Sequence, residues 1–254
     1  MIQIRNLSFG YEKTPLLHSI SADMCDGQIT ALIGPNGAGK STLLRLCTRL
    51  EKPWSGSIAV NGQPVGAYDS KAFARTLSYL PQNRPLPSIP VRTLVMHGRF
   101  ARLGPSRRPS AQDETAVDEA LGQTGLTALQ HRPLSTLSGG QRQKAYIAMA
   151  IAQEAQHLLL DEPLTHLDMG CQLELMDLLK QLRSQGRCIV MAVHDLPLLM
   201  DRCDRVIALH QGCKAFDGDV HSLFESSVIE TAFGLKAVHR EGIFLERISP
   251  PSFD

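Results

Sequence analysis

An eight-residue stretch constrains this chain more than any other feature. Residues 34–41 read GPNGAGKS and fit the phosphate-loop pattern G-x-x-x-x-G-K-[ST]. The apolar run Ile29 to Ile33 precedes the motif and predicts a buried strand, and the run from Thr42 to Leu46 predicts a helix. A phosphate-binding loop is expected to connect a strand to a helix, and the predicted elements on either side of the motif meet this requirement. The sequence therefore favours a phosphate-binding α/β core over a glycine-rich turn that happens to carry a lysine.

The residues of the motif suit a polyphosphate accompanied by a magnesium ion. Glycines at 34, 37 and 39 allow the backbone to curl so that its N–H groups point at an anion. The start of the following helix adds a favourable dipole. Lys40 can reach the β- and γ-phosphates, and the Ser41 hydroxyl can bind Mg²⁺. By itself the motif indicates a nucleoside triphosphate and leaves the reaction open.

Composition narrows the class of protein around this loop. The chain has 254 residues, 43% of them hydrophobic and 20% charged, which is enough for one or two domains with a core. The net charge of +1 gives no reason to expect nucleic acid as a partner. Apolar runs such as Ala145 to Ala152 are too short to span a bilayer, and the chain begins with a strand pattern and no signal peptide. Six cysteines without a C-x-x-C pair predict reduced, mostly buried thiols and no metal site.

Strand patterns surround the loop, and a helical stretch interrupts them. Alternating apolar residues at 2–9 predict an edge strand. Further strands are predicted at 20–24, 57–60, 77–80, 157–162, 188–193, 205–209 and 213–216. Strands disappear between residues 83 and about 150, where helical patterns at 91–100 and 112–122 predict an inserted helical subdomain. Residues 220–254 predict a helix and a short hairpin without identifiable chemistry.

A second group of polar residues follows the predicted strands. Asp161 is placed to hold Mg²⁺, and Glu162 can polarise the attacking water as a general base. His194 can hydrogen-bond the γ-phosphate, and Gln82 can contact Mg²⁺ and the attacking water. Each has a structural alternative, since strand-end carboxylates usually cap or face solvent and a lone histidine is usually structural. Their occurrence together with the phosphate loop favours catalysis.

Three further features have both a structural and a functional interpretation. Residues 138–141, Ser-Gly-Gly-Gln, open a predicted helix that runs to about residue 154, either as an ordinary cap or as a second anion site. Asp168 precedes a helix predicted at 171–182 and can be its N-cap. Tyr11 follows Gly10 between the first two strands, where it can stack on a purine or pack on the sheet. Position alone does not decide between these two.

Taken in order, these motifs resemble the nucleotide-binding subunit of ATP-binding-cassette transporters. They are the phosphate loop, Gln82, Leu137-Ser138-Gly139-Gly140-Gln141 (the LSGGQ signature of that family), Asp161-Glu162, Leu167-Asp168 and His194. The resemblance covers the whole chain and implies one α/β domain, a phosphate-loop NTPase core with an antiparallel β subdomain and an inserted helical subdomain. The expected parts are 1–82 and 155–220 for the core with the β subdomain, 83–154 for the helical subdomain, and 221–254 for a C-terminal extension.

The resemblance also implies roles for individual residues around ATP and Mg²⁺, in a dimer whose two subunits face head to tail. Residues implied to bind the chain's own nucleotide are Tyr11, Gly34, Pro35, Asn36, Gly37, Ala38, Gly39, Lys40, Ser41 and Thr42. Residues implied to contact the partner's nucleotide or the dimer seam are Ser138, Gly139, Gly140, Gln141 and Asp168. The implied catalytic residues are Glu162, His194 and Gln82, and the implied magnesium ligands are Ser41, Gln82 and Asp161.

Finer segments are similar to importers of iron chelates, haem and cobalamin. These segments are 79–82, 91–99, 137–143 with 148–150, 193–196 and 233–235. The chain departs from the family at Leu164, where a threonine is usual, at His166, and at Pro197, where a polar residue is common. None of these departures touches a predicted catalytic group, but they weaken assignment to one cargo.

The resemblance implies an ATPase subunit at the cytoplasmic face of the plasma membrane that powers an importer of an iron(III) chelate of the siderophore type. Its expected partners are a second copy, two transmembrane permease subunits docking near residues 83–95, and a substrate-binding protein upstream. Ile89, Val91, Leu94 and Val95 suggest an apolar docking groove. Haem, cobalamin and divalent metals remain alternative cargoes. A soluble non-transport cassette ATPase is disfavoured by the single cassette, and a non-hydrolysing protein by Glu162 and His194.

Overall fold

The computed structural model describes residues 1–104, 107–165, 167–194, 196, 202–239 and 243–247. The strands are β1 (Ile2–Tyr11), β2 (Thr14–Met24), β3 (Ile29–Ile33), β4 (Ser55–Val60), β5 (Gln63–Pro64), β6 (Leu77–Leu80), β7 (His157–Asp161), β8 (Cys188–Ala192), β9 (Arg205–His210), β10 (Cys213–Gly218), β11 (Leu235–His239) and β12 (Ile243–Arg247). The helices are α1 (Lys40–Cys47), α2 (Ser70–Thr76), α3 (Val91–His97), α4 (Ala111–Gln123), α5 (Gly139–Ala152), α6 (Met169–Ser184), α7 (Val220–Glu225) and α8 (Val228–Phe233).

A six-stranded sheet of order β10-β9-β3-β8-β7-β6 carries the predicted site. Its strands from β9 to β6 run parallel, while β10 returns antiparallel to β9 as the predicted hairpin. Every residue of β3, β7 and β8 is buried, which explains their continuous apolar sequences. Because parallel strands end at the same edge of a sheet, the segments that follow β3, β6, β7 and β8 meet there.

A four-stranded antiparallel sheet of order β2-β1-β4-β5 covers one face of the parallel sheet. The prediction that β1 is an edge strand is wrong, since it lies between β2 and β4. Alternating apolar residues report one buried face and say nothing about how many neighbours a strand has. The slip in that alternation is a bulge between Ile4 and Leu7, where Asn6 has a φ of 47°.

The helical subdomain is built from α3, α4 and α5, which pack on one another and on the parallel sheet. Helix α3 ends at His97, earlier than the predicted Phe100. Gly98 follows it, and a Cβ on that residue would lie 2.1 Å from the carbonyl oxygen of Met149 in α5. Helix α4 begins at a capping box in which Ser110 and Asp113 bond each other's backbone N–H groups.

The apolar docking groove expected near residues 83–95 does not have the predicted lining. Val91, Leu94 and Val95 are 0%, 4% and 0% exposed, and Ile89 packs against the same core. Val91, Leu94 and Val95 form the inner side of α3, which faces α4 and α5. Their apolar character therefore reflects the core of the subdomain. The exposed large apolar side chains near this segment are Leu86 and Phe100.

The C-terminal part differs from the prediction in one respect. Two short helices, α7 and α8, replace the single helix because Ser226 between them is extended, and the predicted hairpin forms as β11 and β12. Of the six cysteines only Cys47 and Cys188 are buried, so the expectation of mostly buried thiols is wrong. Within the described residues, no helix is both long enough and apolar enough to cross a bilayer.

Candidate active site

The phosphate loop joins β3 to α1 in a conformation that requires its glycines. Gly34, Gly37 and Gly39 have φ values of 151°, 80° and 95°. A Cβ on Gly34 would lie 2.3 Å from the carbonyl oxygen of Leu209, so the loop also passes close to β9. Helix α1 has Gly39 as its N-cap, so no side chain caps its first N–H groups. Its first N–H groups are therefore available to phosphate oxygens.

Lys40 lies inside the loop that precedes it. Its ammonium donates to the carbonyl oxygens of Gly34 at 2.7 Å and Pro35 at 3.1 Å, and the residue is 6% exposed. Burial lowers the pKa of Lys40, while the carboxylates of Glu162 and Asp161 act in the opposite direction. The cation is thus held at the position where a polyphosphate would meet the loop.

A corner that could hold Mg²⁺, called the magnesium corner below, forms where β7 ends beside α1. The Ser41 hydroxyl donates to Asp161 Oδ1 at 2.8 Å, and the Tyr79 hydroxyl donates to Asp161 Oδ2 at 3.2 Å. Burial raises the pKa of Asp161, and the two hydroxyl hydrogen bonds oppose this rise. A hydroxyl and a carboxylate are the oxygen ligands that Mg²⁺ prefers, so these residues fit the ion. Sequence reasoning missed Tyr79, because the pairing of β6 with β7 that places it there is a long-range contact.

Glu162 is held by three neighbours. Its Oε2 accepts hydrogen bonds from Gln82 Nε2 at 2.7 Å and from Thr165 Oγ1 at 3.1 Å, and it lies 3.9 Å from Nδ1 of His194. Glu162 has a φ of 49°, a left-handed conformation that costs a non-glycine residue about 1–3 kcal/mol. Thr165 was not predicted as a site residue, although it stands only three positions after Glu162.

These groups border one open cleft of about 550 Å³. Its lining residues are Leu16, Asn36, Gly37, Ala38, Gly39, Lys40, Ser41, Thr42, Gln82, Glu162 and His194. The structure thus brings together the phosphate loop and the predicted catalytic residues, with Asp161 beneath them. Leu16 was missed, because in the sequence it is one more apolar residue of a strand.

The other predicted residues lie outside this cleft. Ser138 caps α5, accepting from the Gln141 N–H at 3.2 Å, and the Gln141 side chain accepts from the Ser138 N–H at 3.1 Å. Asp168 caps α6 by accepting from the Cys171 N–H at 2.8 Å. The Tyr11 side chain is exposed, with its hydroxyl 3.3 Å from Thr42 Oγ1. Within one chain, the cap interpretations of Ser138 and Asp168 therefore account for their contacts.

The departures from the family pattern have different outcomes. Leu164 is 5% exposed and belongs to the hydrophobic core, so its apolar side chain serves packing. His166, Asp195 and Pro197, which entered the segments considered above, lie outside the described residues.

The arrangement combines three elements that hydrolysis of a polyphosphate uses. Backbone N–H groups and Lys40 can bind a polyphosphate, and Ser41 with Asp161 can hold Mg²⁺. Glu162 can accept the proton of a water molecule positioned in the cleft.

Comparisons with known proteins agree with this chemistry. The family model described as ABC transporter matches residues 17–165. The achromobactin transport ATP-binding protein of Dickeya dadantii is 39% identical over 92% of this chain and 88% of its own length. The ferric enterobactin transport ATP-binding protein of Escherichia coli is 39% identical over 91% of this chain and 86% of its own. The solved structure of cbiO1 from Clostridium perfringens, part of the ABC transporter complex cbiONQ, superposes with a TM-score of 0.78 at 28% identity, covering 91% of this chain and 95% of that one.

Proposed function

This chain belongs to the ABC transporter family, whose ATP-binding subunits hydrolyse ATP to power transport, and from this premise we propose that it powers uptake of an iron(III) chelate of the siderophore type. The observation that carries the proposal is the nearly full-length similarity to a relative named for ferric enterobactin transport. The segments at 79–82 and 91–99, which resemble iron-chelate, haem and cobalamin importers, support it.

In the proposed reaction, ATP is bound by the loop from Gly34 to Thr42 and Mg²⁺ by Ser41 and Asp161, with Gln82 beside them. Mg²⁺, when bound, neutralises charge on the phosphates. Lys40 exchanges its bonds to loop carbonyls for bonds to phosphate oxygens. Glu162 takes a proton from the attacking water, and His194 steadies the γ-phosphate.

Gln82 connects the catalytic base to the helical subdomain. Its amide donates to Glu162 at 2.7 Å, and the chain continues from it toward α3. Two residues later, Arg84 donates to Gln143 of α5 at 2.7 Å, and Gln143 in turn donates to the carbonyl of Pro163 beside the base. Two connections therefore join the surroundings of the γ-phosphate to the helical subdomain. One runs from Glu162 through Gln82 to Arg84 and Gln143, and the other from Pro163 directly to Gln143.

The proposed assembly contains two copies of this chain. Ser138, Gly139, Gly140 and Gln141 of one copy meet the nucleotide of the other, and Asp168 lies at the seam; the exposure of Ser138 and Asp168 supports this arrangement. Two permease subunits dock beside residues 83–95 at the cytoplasmic face of the membrane, where Leu86 is 48% and Phe100 58% exposed. A substrate-binding protein delivers the chelate from the opposite side.

Substitution of the base tests the catalytic part of the proposal. Glu162→Gln keeps the shape and the hydrogen bonds with Thr165 but cannot accept a proton at pH 7. We expect ATP binding to persist and turnover to fall by about 10²–10⁴-fold, the usual worth of a general base. Single-turnover hydrolysis measures this, and wild-type turnover would remove Glu162 from the role.

Cellular uptake tests the cargo. Labelled ferric chelates, haem, cobalamin and divalent metals are offered to a strain lacking its native copy, complemented with the wild-type chain or with Glu162→Gln. Uptake of a ferric chelate with the wild type alone supports the proposal. If haem, cobalamin or a divalent metal is instead the label taken up only with the wild-type chain, that compound is the cargo and the siderophore proposal is wrong. Equal uptake with both chains, and no membrane subunit recovered in a pull-down, would point to a soluble cassette ATPase.

A further inference from the structure

A second group of potential ligands lies at the edge of the parallel sheet opposite the nucleotide cleft. His157 is the first residue of β7, and Asp161 of the magnesium corner is the last. Four residue steps at about 3.3 Å separate the two groups by about 13 Å. Cys188 begins β8 and is the direct register partner of His157, and Asp26 lies in the turn before β3. Their potential ligand atoms all lie within 4.8 Å of one another.

His157 has an unused nitrogen aimed at this group. Its side chain is 0% exposed, and Nδ1 has no hydrogen-bond partner within the described residues. Nε2 lies 3.0 Å from the Asn61 side-chain oxygen, which can only accept, so Nε2 carries the proton. Nδ1 therefore presents a lone pair. A histidine that donates one N–H to a carbonyl and offers the other nitrogen is the usual arrangement at a metal centre.

We propose that Asp26, His157 and Cys188 form a binding site for one divalent cation of the zinc type. Imidazole nitrogen, thiolate sulfur and carboxylate oxygen are the ligands that Zn²⁺ takes. Tetrahedral zinc with bonds of about 2.0–2.3 Å needs ligand atoms about 3.3–3.8 Å apart. His157 Nδ1 and Asp26 Oδ1 are already 3.5 Å apart. The Cys188 sulfur is the third ligand, and all three potential ligand atoms lie within 4.8 Å of one another.

The same chemistry separates this site from the magnesium corner. A nitrogen and a sulfur ligand select zinc-type ions, whereas Mg²⁺ takes oxygen ligands. Burial lowers the pKa of His157 to about 4, so the imidazole is neutral. Burial raises the pKa of the Cys188 thiol to about 12, so binding has to displace its proton to solvent. Binding also replaces the contact between Asp26 and the Met1 ammonium, at 2.6 Å. A bound ion would join the turn before β3 to the first residues of β7 and β8.

Cobalt spectroscopy on the full-length chain tests the proposal. Nucleotide-free protein, stripped with a chelator, is titrated with Co²⁺ in excess Mg²⁺, which occupies the oxygen ligands of the nucleotide site. We expect one Co²⁺ per chain, a thiolate-to-cobalt absorption band, and loss of the band when Zn²⁺ is added. Cys188→Ala should abolish the band, whereas Cys213→Ala, which removes an exposed thiol, should keep it. A band that is absent, or that depends on Cys213, overturns the proposal.

A surface substitution keeps the test decisive if Cys188→Ala does not fold. Asp26→Asn changes an exposed ligand without changing its size, and Zn²⁺ affinity measured against a competing chelator should fall at least about 10-fold. Asp23→Asn is the matched control, since Asp23 is a nearby surface carboxylate that pairs with Arg5. Equal Zn²⁺ affinities for these two variants would exclude Asp26 as a ligand and overturn the site.

Discussion

Several residues at the nucleotide site have a positive φ, a backbone conformation that residues other than glycine rarely adopt. Gly34, Gly37 and Gly39 have positive φ, and Glu162 has a positive φ although it is not a glycine. The stability and the chemistry of the loop therefore depend on individual backbone positions. The three glycines differ in the space around them. A Cβ on Gly34 or Gly39 would meet other atoms at less than 3 Å, whereas a Cβ on Gly37 would meet none within 4 Å.

Two glycine substitutions separate backbone conformation from close packing. Gly37→Ala meets nothing within 4 Å and should cost about 1–2 kcal/mol through its φ of 80° alone. Gly34→Ala adds a contact of 2.3 Å with a backbone carbonyl oxygen, and should lose about 1–3 kcal/mol more. Urea unfolding of both variants measures the difference. An equal loss of unfolding free energy in the two variants would mean that β9 shifts away from the added Cβ at no cost.

Tyr79 positions the carboxylate of the magnesium corner. Tyr79→Phe removes the hydrogen bond to Asp161 and should raise the Mg²⁺ concentration for half-maximal ATPase activity about 10-fold, as loss of a ligand's supporting bond typically does. Tyr68→Phe is the control, because its hydroxyl bonds the carbonyl of Val60 in β4 instead. A Mg²⁺ requirement unchanged in Tyr79→Phe would show that Ser41 alone positions Asp161.

At the scale of elements, a buried ion cluster joins the three helices of the inserted subdomain. Arg99, just after α3, is 2% exposed. It donates to Asp113 of α4 at 2.9 Å and to Glu154, after α5, at 2.7 Å. It also donates to the carbonyl of Ala152 at the end of α5. One guanidinium thus joins the end of α3 to the start of α4 and the end of α5, in addition to their apolar packing.

Removing that guanidinium should destabilise the subdomain strongly. Arg99→Met leaves Asp113 buried without its cation and should cost about 3–5 kcal/mol. Arg92→Met is the control, since Arg92 pairs with the more exposed Glu114 and Asp118 and should cost about 0–1 kcal/mol. Chemical denaturation compares the two. Similar losses would mean that solvent reaches Asp113 and replaces the ion pair.

At the scale of the whole molecule, the proposed function divides the nucleotide site between two regions of one chain, the cleft at the phosphate loop and the signature segment at 138–141. The phosphate loop, Glu162 and His194 border the cleft, whereas Ser138 and Asp168, among the described residues, do not line it. Head-to-tail pairing of two copies would complete two sites. Such an arrangement makes hydrolysis a property of the dimer.

Complementation between two inactive variants tests this sharing. Lys40→Ala disables the phosphate loop and Ser138→Arg disables the signature, so neither variant alone should hydrolyse ATP. At equal amounts, about half of the randomly formed dimers contain one copy of each variant, and each of these has one intact site of two, so about a quarter of wild-type activity should return. The measurement is ATPase rate against mixing ratio. Inactivity at every ratio, with ATP binding retained by Ser138→Arg, would contradict a shared site.

Short sequence patterns are enough to predict the parts of this protein that depend on local order. The phosphate loop, the buried strands β3 and β7, and the capped start of α5 could be predicted because short patterns of apolar residues, glycines and caps specify them. The family could be predicted from the order of the motifs along the chain, which is visible without a fold. The roles of Glu162 and His194 stay predictions.

The tertiary structure alone decided which distant segments become neighbours. The interior place of β1, the hydrogen bond from Tyr79 to Asp161, and the inward face of α3 all arise from pairing and packing between segments far apart in sequence. The group of Asp26, His157 and Cys188 has the same origin, because parallel strands bring their first residues to one edge of the sheet. The pattern of residues along a chain does not specify which strands pair or in which register. These features therefore could not be predicted from the sequence.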